Sequence, residues 1–268
     1  METDLLALKG ITKRFNNGKG TAIQALKHSS LTVQKGEWVG IVGESGCGKS
    51  TIARVICQLE ALDEGSIFFK GQDVTNINKK SLKDYYKSVQ MIFQDPLSTF
   101  SPRMRIGDYV SEPFINFKIL KKKEAIQYAK ELLELVGLPV DFTEKYPHEL
   151  SGGQLQRVVI ARAVGIKPDL IICDEITSAL DVSIQQQIMQ LLMELKHKNN
   201  FSNVFITHDL ALAESICDRI YVMHAGEIVE VLESHHMVRD AKHPYTKKLI
   251  SSGFSLQKKK TKHEMNAM

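Results

Sequence analysis

The apolar residues of the chain occur first in short runs, then at helical spacing, and then in short runs again. Trp38–Val42 is a continuous apolar run of the kind that forms a buried strand. From about residue 96 to residue 165 the strand signals vanish, and Glu124–Val136 carries its apolar residues on one helical face. Beyond Pro168 short runs alternate with helical segments. Such alternation predicts a mainly parallel sheet with crossover helices, into which a helical lobe at about 96–165 is inserted.

The same pattern predicts the individual elements. Short apolar segments indicate strands at Leu5–Ile11, Ser29–Val33, Trp38–Val42, Ser66–Phe69, Val89–Phe93, Leu170–Cys173, Asn203–Thr207 and Arg219–Met223. Helical spacing and helix-start residues indicate helices at Lys49–Leu59, Glu124–Val136, Ser151–Val164, Ser183–Lys198 and Leu210–Cys217. His224–Glu227 is expected to form a hairpin turn between the strand that ends at Met223 and a last strand at Ile228–Val231.

Composition limits the class of protein. The 268 residues, 43% of them hydrophobic, suffice for one large domain or for a domain with an inserted lobe. The net charge of +4 is weak and lies largely in a basic tail at 255–268, expected to be disordered, which follows a domain at 1–254. No run approaches the roughly 18 apolar residues that a spanning helix needs. The four cysteines lack C-x-x-C spacing, so we expect reduced thiols rather than a zinc site or disulfides.

A phosphate-binding motif follows the Trp38–Val42 run. Residues 43–50 match G-x-x-x-x-G-K-[ST] between a predicted strand and a predicted helix, which is the context this motif requires. Glycines let the backbone wrap a phosphate, and the positive end of the helix dipole favours an anion. Lys49 is expected to reach the β- and γ-phosphates and Ser50 to bind Mg²⁺. The predicted nucleotide-binding residues are Gly43, Glu44, Ser45, Gly46, Cys47, Gly48, Lys49, Ser50 and Thr51.

Cys47 lies inside this loop and has a chemistry of its own. The backbone amides and Lys49 beside it are expected to favour the thiolate form. Thiol reagents would then inactivate the protein and bound nucleotide would protect it. The alternative is a thiol too enclosed to react.

Two acids end the apolar run Leu170–Cys173. The carboxyl end of a buried parallel strand lies at the sheet edge where ligands bind, which places Asp174 and Glu175 there. We expect Asp174 to hold Mg²⁺ through water and Glu175 to act as the general base on the attacking water. Many apolar strands end in an acid, so this pattern gains its weight from the phosphate-binding motif that precedes it.

A third motif, Leu150-Ser151-Gly152-Gly153-Gln154, opens a predicted helix and offers a second N-terminus suited to an anion. The pentapeptide resembles the signature sequence of ABC ATPases. In that family two nucleotide-binding domains pair head to tail, and each ATP lies between the phosphate loop of one and the signature of the other. The resemblance implies that Ser151, Gly152, Gly153 and Gln154 bind nucleotide.

The resemblance assigns roles to four further positions. Phe15 stands where the family places the aromatic residue that stacks on adenine, which we favour over the alternative of a core phenylalanine. Gln94 matches the glutamine that senses Mg²⁺ and water. The segment Ser178–Asp181 matches the loop that crosses the dimer interface. His208 matches the switch histidine that contacts the γ-phosphate, and with Glu175 it completes the expected catalytic set.

Other segments point to the peptide and nickel importers within the family. The segments that resemble those importers are Phe93–Leu97, Ser101–Met104, Glu112–Pro113 and His243–Thr246. Two positions differ from most relatives: Ile176 replaces the proline after the catalytic glutamate, and Ser101 stands where many have asparagine. Neither removes a catalytic group, but Ile176 leaves the path of the following loop open.

These patterns together predict a P-loop α/β fold of ABC ATPase type with an antiparallel β portion and an inserted helical lobe. We expect an ATPase, using ATP and Mg²⁺, that powers a bacterial importer from the cytoplasmic face of the membrane. Its expected partners are a second ATPase subunit, identical or a sister chain, two permease subunits docked near Gln94–Phe117 and, indirectly, a solute-binding protein, but no nucleic acid.

The cargo is left open between two classes. The short C-terminal region after His243–Ile250 favours nickel or a metal chelate, and di- or oligopeptides are the alternative. A non-transport ABC ATPase acting on nucleic acid or ribosomes is a distant alternative, because the chain has neither a long coiled coil nor a basic stripe. A P-loop kinase or GTPase would leave the Leu150–Gln154 signature unexplained.

Overall fold

The computed structural model describes residues 4–16, 22–178 and 180–251, which form two compact units. The first unit comprises Met1–Asn76 with Asn203–Met268, and the second comprises Ile77–Ser202. The predicted basic tail at 255–268 lies outside the described residues. No helix in the described part of the chain is both long enough and apolar enough to cross a membrane.

The first unit contains an antiparallel sheet at its N-terminal part. Its strands are β1 (Leu6–Asn16), β2 (Ala22–Val33), β4 (Glu64–Phe69) and β5 (Gln72–Asp73), in the order β2-β1-β4-β5. Strands β1 and β2 are longer than their apolar runs predict. Their outer residues alternate between exposed and half-buried positions, so they carry no continuous apolar signal.

Strand β3 (Trp38–Val42) is buried along its whole length and pairs in parallel with two neighbours. These are β8 (Ser202–Thr207) and β9 (Arg219–His224), and β10 (Glu227–Glu233) pairs antiparallel with β9. Ala225 and Gly226 join β9 to β10 with φ values of 48° and 89°, as the two positive-φ positions of a type I′ hairpin turn require. The predicted strands and hairpin of this region are confirmed.

The described residues of the first unit also form four helices. These are α1 (Lys49–Ile56), α7 (Leu210–Ile216), α8 (Met237–Asp240) and a helical segment at residues 244–251. Helix α1 ends before the predicted Leu59, because Gln58 adopts a left-handed φ of 56°. Gly40 faces α7: a Cβ atom there would lie 3.2 Å from the Cys217 sulfur, so this strand and helix pack closely.

The second unit combines two parallel strands with five helices that the structure describes. The strands are β6 (Val89–Ile92) and β7 (Leu170–Asp174); the helices are α2 (Lys79–Ser88), α3 (Ile106–Asn116), α4 (Lys122–Leu135), α5 (Gly152–Gly165) and α6 (Val182–Asn199). Short 3₁₀ turns occur at Leu97–Thr99, Val140–Glu144 and Pro147–Glu149. No strand is present in 96–165, as predicted.

Helices α2 and α3 were not predicted. Among the residues of α2 only Tyr85 is buried, so the helix lacks an apolar stripe. Helix α3 contains Pro113, which has no N–H to donate to the carbonyl oxygen of Tyr109, four residues earlier. The Arg162 guanidinium of α5 donates to that oxygen at 2.7 Å and replaces the missing donor. A tertiary contact therefore stabilises a helix that its local sequence disfavours.

Gly165, at the end of α5, packs closely against side chains of α3 and α4. A Cβ atom there would lie 2.5 Å from Leu132 Cδ1 and 2.9 Å from Phe114 Cζ, both in the core. We expect Gly165→Ala to lower the free energy of unfolding by about 1–3 kcal/mol, because overpacking outweighs the better helix propensity of alanine. Urea unfolding measures this difference.

Gly152→Ala on the same helix is the matched control. The nearest atom to its added Cβ, Leu180 Cδ2, lies at an ordinary contact distance of 3.7 Å. Its stability should stay within about 0.5 kcal/mol of the parent. A Gly165→Ala protein as stable as the parent would contradict the packing argument.

Candidate active site

The phosphate loop joins the buried strand β3 to helix α1, and three of its glycines are needed for different reasons. A Cβ atom at Gly43 would lie 2.2 Å from the Met223 carbonyl oxygen, and one at Gly48 would lie 2.4 Å from the Ala25 carbonyl oxygen. Gly46 has free space around it but a φ of 79°, which L-residues rarely adopt. The loop therefore depends on close backbone packing at its two ends and on a left-handed turn at its middle.

Lys49 is buried at the start of α1, with 4% of its surface exposed. Its ammonium group donates to the carbonyl oxygens of Gly43 at 2.9 Å and Glu44 at 3.0 Å. Ser50 and Thr51 follow in the first helical turn and are half-buried. The backbone N–H groups of a first turn have no carbonyl partner within the helix, so this end of α1 suits a phosphate group.

His208 lies at the same sheet edge as the phosphate loop. Val42, the last residue of β3, is the register partner of Thr207, the last residue of β8. Because the strands are parallel, Gly43 and His208 leave the sheet side by side at its carboxyl edge. His208 is exposed there, and Asp209 after it caps α7 by accepting from Leu212 N at 3.1 Å.

Phe15 lies near the end of β1 and is half-buried, so it does not belong to the apolar core. Its register partner is Ile23 of β2, whose surface is 57% exposed. The Lys13 ammonium lies 5.1 Å from the centre of the Phe15 ring. Two residues beyond Ile23, the carbonyl of Ala25 packs against Gly48, so this pair of strands approaches the phosphate loop.

The second unit places its two acids at the carboxyl end of β7. Asp174 is buried, whereas Glu175 is half-buried and has a φ of 48°. A left-handed glutamate is uncommon and costs conformational free energy, on the order of 1–3 kcal/mol. Strain of this kind concentrates at functional sites, and here it falls on the predicted general base.

Gln94 is connected to the loop that follows Glu175. Strands β6 and β7 pair with Ile92 opposite Cys173, so Gln94 and the acids leave the sheet at the same edge. Gln94 Nε2 donates to Ser178 Oγ at 3.3 Å, and Ser178 Oγ donates to the Glu175 carbonyl oxygen at 2.9 Å. Ser178, which the resemblance places in the interface loop, thus also links the glutamine to the acid by hydrogen bonds.

The described residues of the loop after Glu175, on either side of position 179, are held by several contacts. The Ile176 side chain is 2% exposed, and Ser178 N donates to Glu175 O at 3.1 Å. Gln185 of α6 donates to the carbonyl oxygens of Thr177 at 2.7 Å and Leu180 at 3.0 Å. Burial of an apolar side chain and two side-chain hydrogen bonds hold the described residues of this turn.

The signature opens α5 with a capping box. Ser151 is the N-cap: its hydroxyl accepts from Gln154 N at 3.4 Å, and Gln154 Oε1 accepts from Ser151 N at 2.9 Å. Gly153 packs against α6, since a Cβ atom there would lie 2.7 Å from Ile184 Cγ2. Ser151 and Gly152 are exposed, and Asp181 is exposed at the N-cap of α6 without a side-chain capping bond.

The residues predicted to bind Mg²⁺ are suited to it by type. They are the Ser50 hydroxyl, the Gln94 amide and the Asp174 carboxylate, all oxygen donors. The described residues contain no cluster of three or more His, Cys, Asp or Glu that could hold a metal alone. In phosphate-transferring enzymes, substrate phosphates and water complete the coordination of Mg²⁺.

Cys47 does not fit its predicted thiolate state. It is 7% exposed, and burial raises the pKa of the thiol above its usual value. The Lys49 charge and the nearby backbone amides act in the opposite direction but are outweighed by burial. The expectation that the thiolate is favoured was therefore wrong, and burial favours the alternative of an enclosed thiol.

Tyr245 is a residue near the loop that the motifs left without a role. Its hydroxyl oxygen accepts a hydrogen bond from Glu44 N at 3.0 Å. In the sequence, His243–Thr246 resembles a segment of the importers. Nothing in the sequence predicts that this segment contacts residue 44, which lies 201 positions earlier.

Known proteins resemble this chain along most of its length. Residues 26–178 match the profile of the ABC transporter family. The chain is 43% identical over 249 residues to the oligopeptide transport ATP-binding protein OppF of Streptococcus mutans, covering 92% of this chain and 81% of that protein. It is 45% identical over 255 residues to AppF, an oligopeptide transport ATP-binding protein of Bacillus subtilis, covering 92% and 78%.

A solved ATP-binding cassette, a dimer in a post-hydrolysis state with ADP and Pi, has a TM-score of 0.78 at 32% identity and covers 86% of this chain and 99% of its own. The fold is thus of the ABC ATPase class, as the motifs predict. The chain belongs to the ABC transporter family. Its activity is the hydrolysis of ATP that powers transport.

The raised pKa of Cys47 predicts slow alkylation. At pH 7.5 the folded protein should react with iodoacetamide at Cys47 at least about tenfold more slowly than the urea-denatured chain, because both the thiolate fraction and access are reduced. Peptide mapping by mass spectrometry reports each cysteine separately. Cys173, which is fully buried, is the internal reference. Alkylation of Cys47 at the rate of the denatured chain would restore the reactive-thiolate interpretation.

Proposed function

We propose that this chain is an ATPase subunit of an importer for di- or oligopeptides. The observation that carries the proposal is its 43–45% identity, over 92% of the chain, to proteins named for oligopeptide or dipeptide transport. All motifs expected of an ABC ATPase accompany that similarity, in the expected order.

The proposed chemistry is attack of water on the γ-phosphate of ATP. Lys49 offsets the negative charge of the β- and γ-phosphates, and Glu175 accepts a proton from the attacking water. His208 contacts the γ-phosphate, and Gln94 orients the water. Mg²⁺, bound through Ser50, Gln94 and Asp174, would neutralise phosphate charge. Phe15 supplies a ring face for adenine.

The proposed assembly contains two ATPase subunits and two permease subunits at the cytoplasmic face of the membrane, with an extracellular solute-binding protein acting indirectly. Ser151–Gln154 would face the ATP of the partner ATPase, and Asp181 would lie at that interface. The exposure of Ser151, Gly152 and Asp181 supports this role, because an interface residue must be available to a partner. The exposed Phe93 and Leu97 beside Gln94 suit a permease contact.

The cargo is proposed to be a peptide, although the sequence alone favours nickel. The nickel expectation depended on the short C-terminal region, and the peptide-transport relatives are matched over 78–81% of their own length despite that difference. His243, in the segment that resembles both classes of importer, binds the backbone: its Nδ1 accepts from Tyr245 N at 3.2 Å.

The proposed base predicts a separation of binding from hydrolysis. Glu175→Gln keeps the size and hydrogen-bonding capacity of the side chain but removes its basicity. It should bind ATP as the parent does while losing hydrolysis by about 10²–10⁴-fold. Lys49→Ala should weaken ATP binding itself. Phosphate release and equilibrium binding of a fluorescent ATP analogue measure the two effects.

Glu131→Gln is the matched control, because Glu131 is an exposed glutamate on α4. It should hydrolyse ATP at the parental rate. Parental hydrolysis by Glu175→Gln would remove Glu175 from the role of base.

The cargo proposal predicts a growth phenotype. Cells that lack the gene should fail to grow when a required amino acid is supplied only in di- or oligopeptides, since the importer has lost its energy source. The free amino acid should restore growth, and nickel content should stay normal. Complementation with the parental gene should restore peptide use, whereas Glu175→Gln should not.

The opposite growth phenotype would contradict the peptide proposal. Normal growth on peptides together with loss of cell nickel would return the chain to the nickel importers.

A further inference from the structure

The C-terminal helical segment, residues 244–251, contacts the phosphate loop through one side chain. The Tyr245 hydroxyl accepts the N–H of Glu44, the second residue of the loop, at 3.0 Å. Tyr245 is 9% exposed, and burial raises the pKa of its hydroxyl, which therefore stays protonated and neutral near pH 7. Both residues belong to the first unit.

Several contacts fix the position of Tyr245. Its ring lies against the His224 ring at the end of β9, with centroids 4.0 Å apart and an interplanar angle of 32°. The Glu230 carboxylate of β10 accepts from Lys242 N at 2.7 Å and from His243 N at 3.2 Å. The segment is therefore attached to the β9–β10 hairpin at the tyrosine ring and just before it in the chain, and these contacts hold the hydroxyl beside the loop.

The same hairpin holds the loop at a second point. Gly226 N, in the hairpin turn, donates to the Cys47 carbonyl oxygen at 3.0 Å. Tyr245 and Gly226 thus fix the beginning and the middle of the loop from one supporting element. Lys49 also contacts the loop, at the carbonyl oxygens of Gly43 and Glu44.

The two side chains that hold Glu44 differ in one respect. Lys49 binds its carbonyl oxygen with the ammonium group that is proposed to bind phosphate, so nucleotide competes for that contact. The neutral Tyr245 hydroxyl accepts the N–H of Glu44, and it is not a group that is proposed to bind phosphate. This contact can therefore persist when nucleotide binds. Removing the hydroxyl would let the Glu44 peptide rotate before the nucleotide arrives, and nucleotide binding would then have to order it.

We infer that Tyr245 is a positioning residue of the phosphate loop, and that residues 242–246 form a strap that keeps the loop preorganised for ATP. The inference rests on the proposed phosphate-binding role of residues 43–51. It gives a physical task to the His243–Thr246 segment, which the catalytic motifs do not use.

The test is Tyr245→Phe, which keeps the ring packed on His224 and removes only the hydroxyl. ATP binding should weaken roughly three- to tenfold, the scale of one lost hydrogen bond, and KM for ATP should rise while kcat changes less than twofold. Amide hydrogen exchange in a peptide spanning residues 43–48 should speed up in the nucleotide-free protein. A purely structural role would lower the melting temperature without moving these readouts selectively.

Tyr221→Phe is the matched control. Tyr221 is a buried tyrosine of the same unit whose hydroxyl accepts from Thr32 N, also at 3.0 Å, outside the phosphate loop. It should leave the KM for ATP and the exchange of residues 43–48 unchanged. Glu230→Ala is a second variant, which loosens the strap without touching the loop and should speed the same exchange.

The outcomes distinguish failure of the phosphate-loop assignment from failure of the proposed role of Tyr245. If the parent fails to bind ATP, or Lys49→Ala binds it equally well, the phosphate-loop assignment itself fails. If that assignment holds but Tyr245→Phe matches the parent in ATP affinity and in exchange of residues 43–48, the strap is overturned. Equal effects of Tyr245→Phe and Tyr221→Phe would overturn it as well, since they would reflect general loosening of the unit.

Discussion

The close approach of Gly43 to the carbonyl of Met223 is the constraint on which the phosphate loop depends. With 2.2 Å between that oxygen and the place of a Cβ atom, only glycine lets the chain leave β3 at this point. The approach brings the loop beside the end of β9, from which the Gly226 amide reaches Cys47. A second close approach, between Gly48 and Ala25, fixes the start of α1. The loop is thus positioned mainly by backbone packed on backbone, before any side chain acts.

Much of the fold could be predicted because local spacing and burial agree. Strands β3, β7 and β8 are buried throughout, and a continuous apolar run is what a parallel strand buried on both faces requires. Helix α3 was missed because its stability is not local: Pro113 removes a donor, and Arg162, 49 positions later, restores it. The spacing of apolar residues predicts periodic elements, but it does not show that a distant side chain replaces a missing backbone donor.

In the candidate site, too, the residues of local motifs could be predicted and the contacts between distant residues could not. Residues in contiguous motifs, such as Lys49 and Glu175, were recognisable because their chemistry requires them at fixed spacing. The hydrogen-bonding roles of Ser178 and Tyr245 were not, because the partner of each is distant in sequence. For Cys47, the sequence predicted the wrong direction of the pKa shift. The neighbouring charge and amides can be read from the sequence, but the burial of the thiol cannot, and burial has the larger effect on its pKa.

Three residues of the candidate site have backbone conformations that most residues avoid. Gly46 and Gly48 have left-handed φ values, which glycine adopts at little cost, but Glu175 adopts one with a side chain. Ser178 and Gln185 hold the turn that follows Glu175 by hydrogen bonds to its backbone. A glutamate held in this way cannot relax toward the common conformations of a flexible loop, so its carboxylate is directed by the fold itself. Glycine at this position would adopt the conformation more easily but would carry no base, and the strain is therefore a consequence of placing a carboxylate where the turn requires a positive φ.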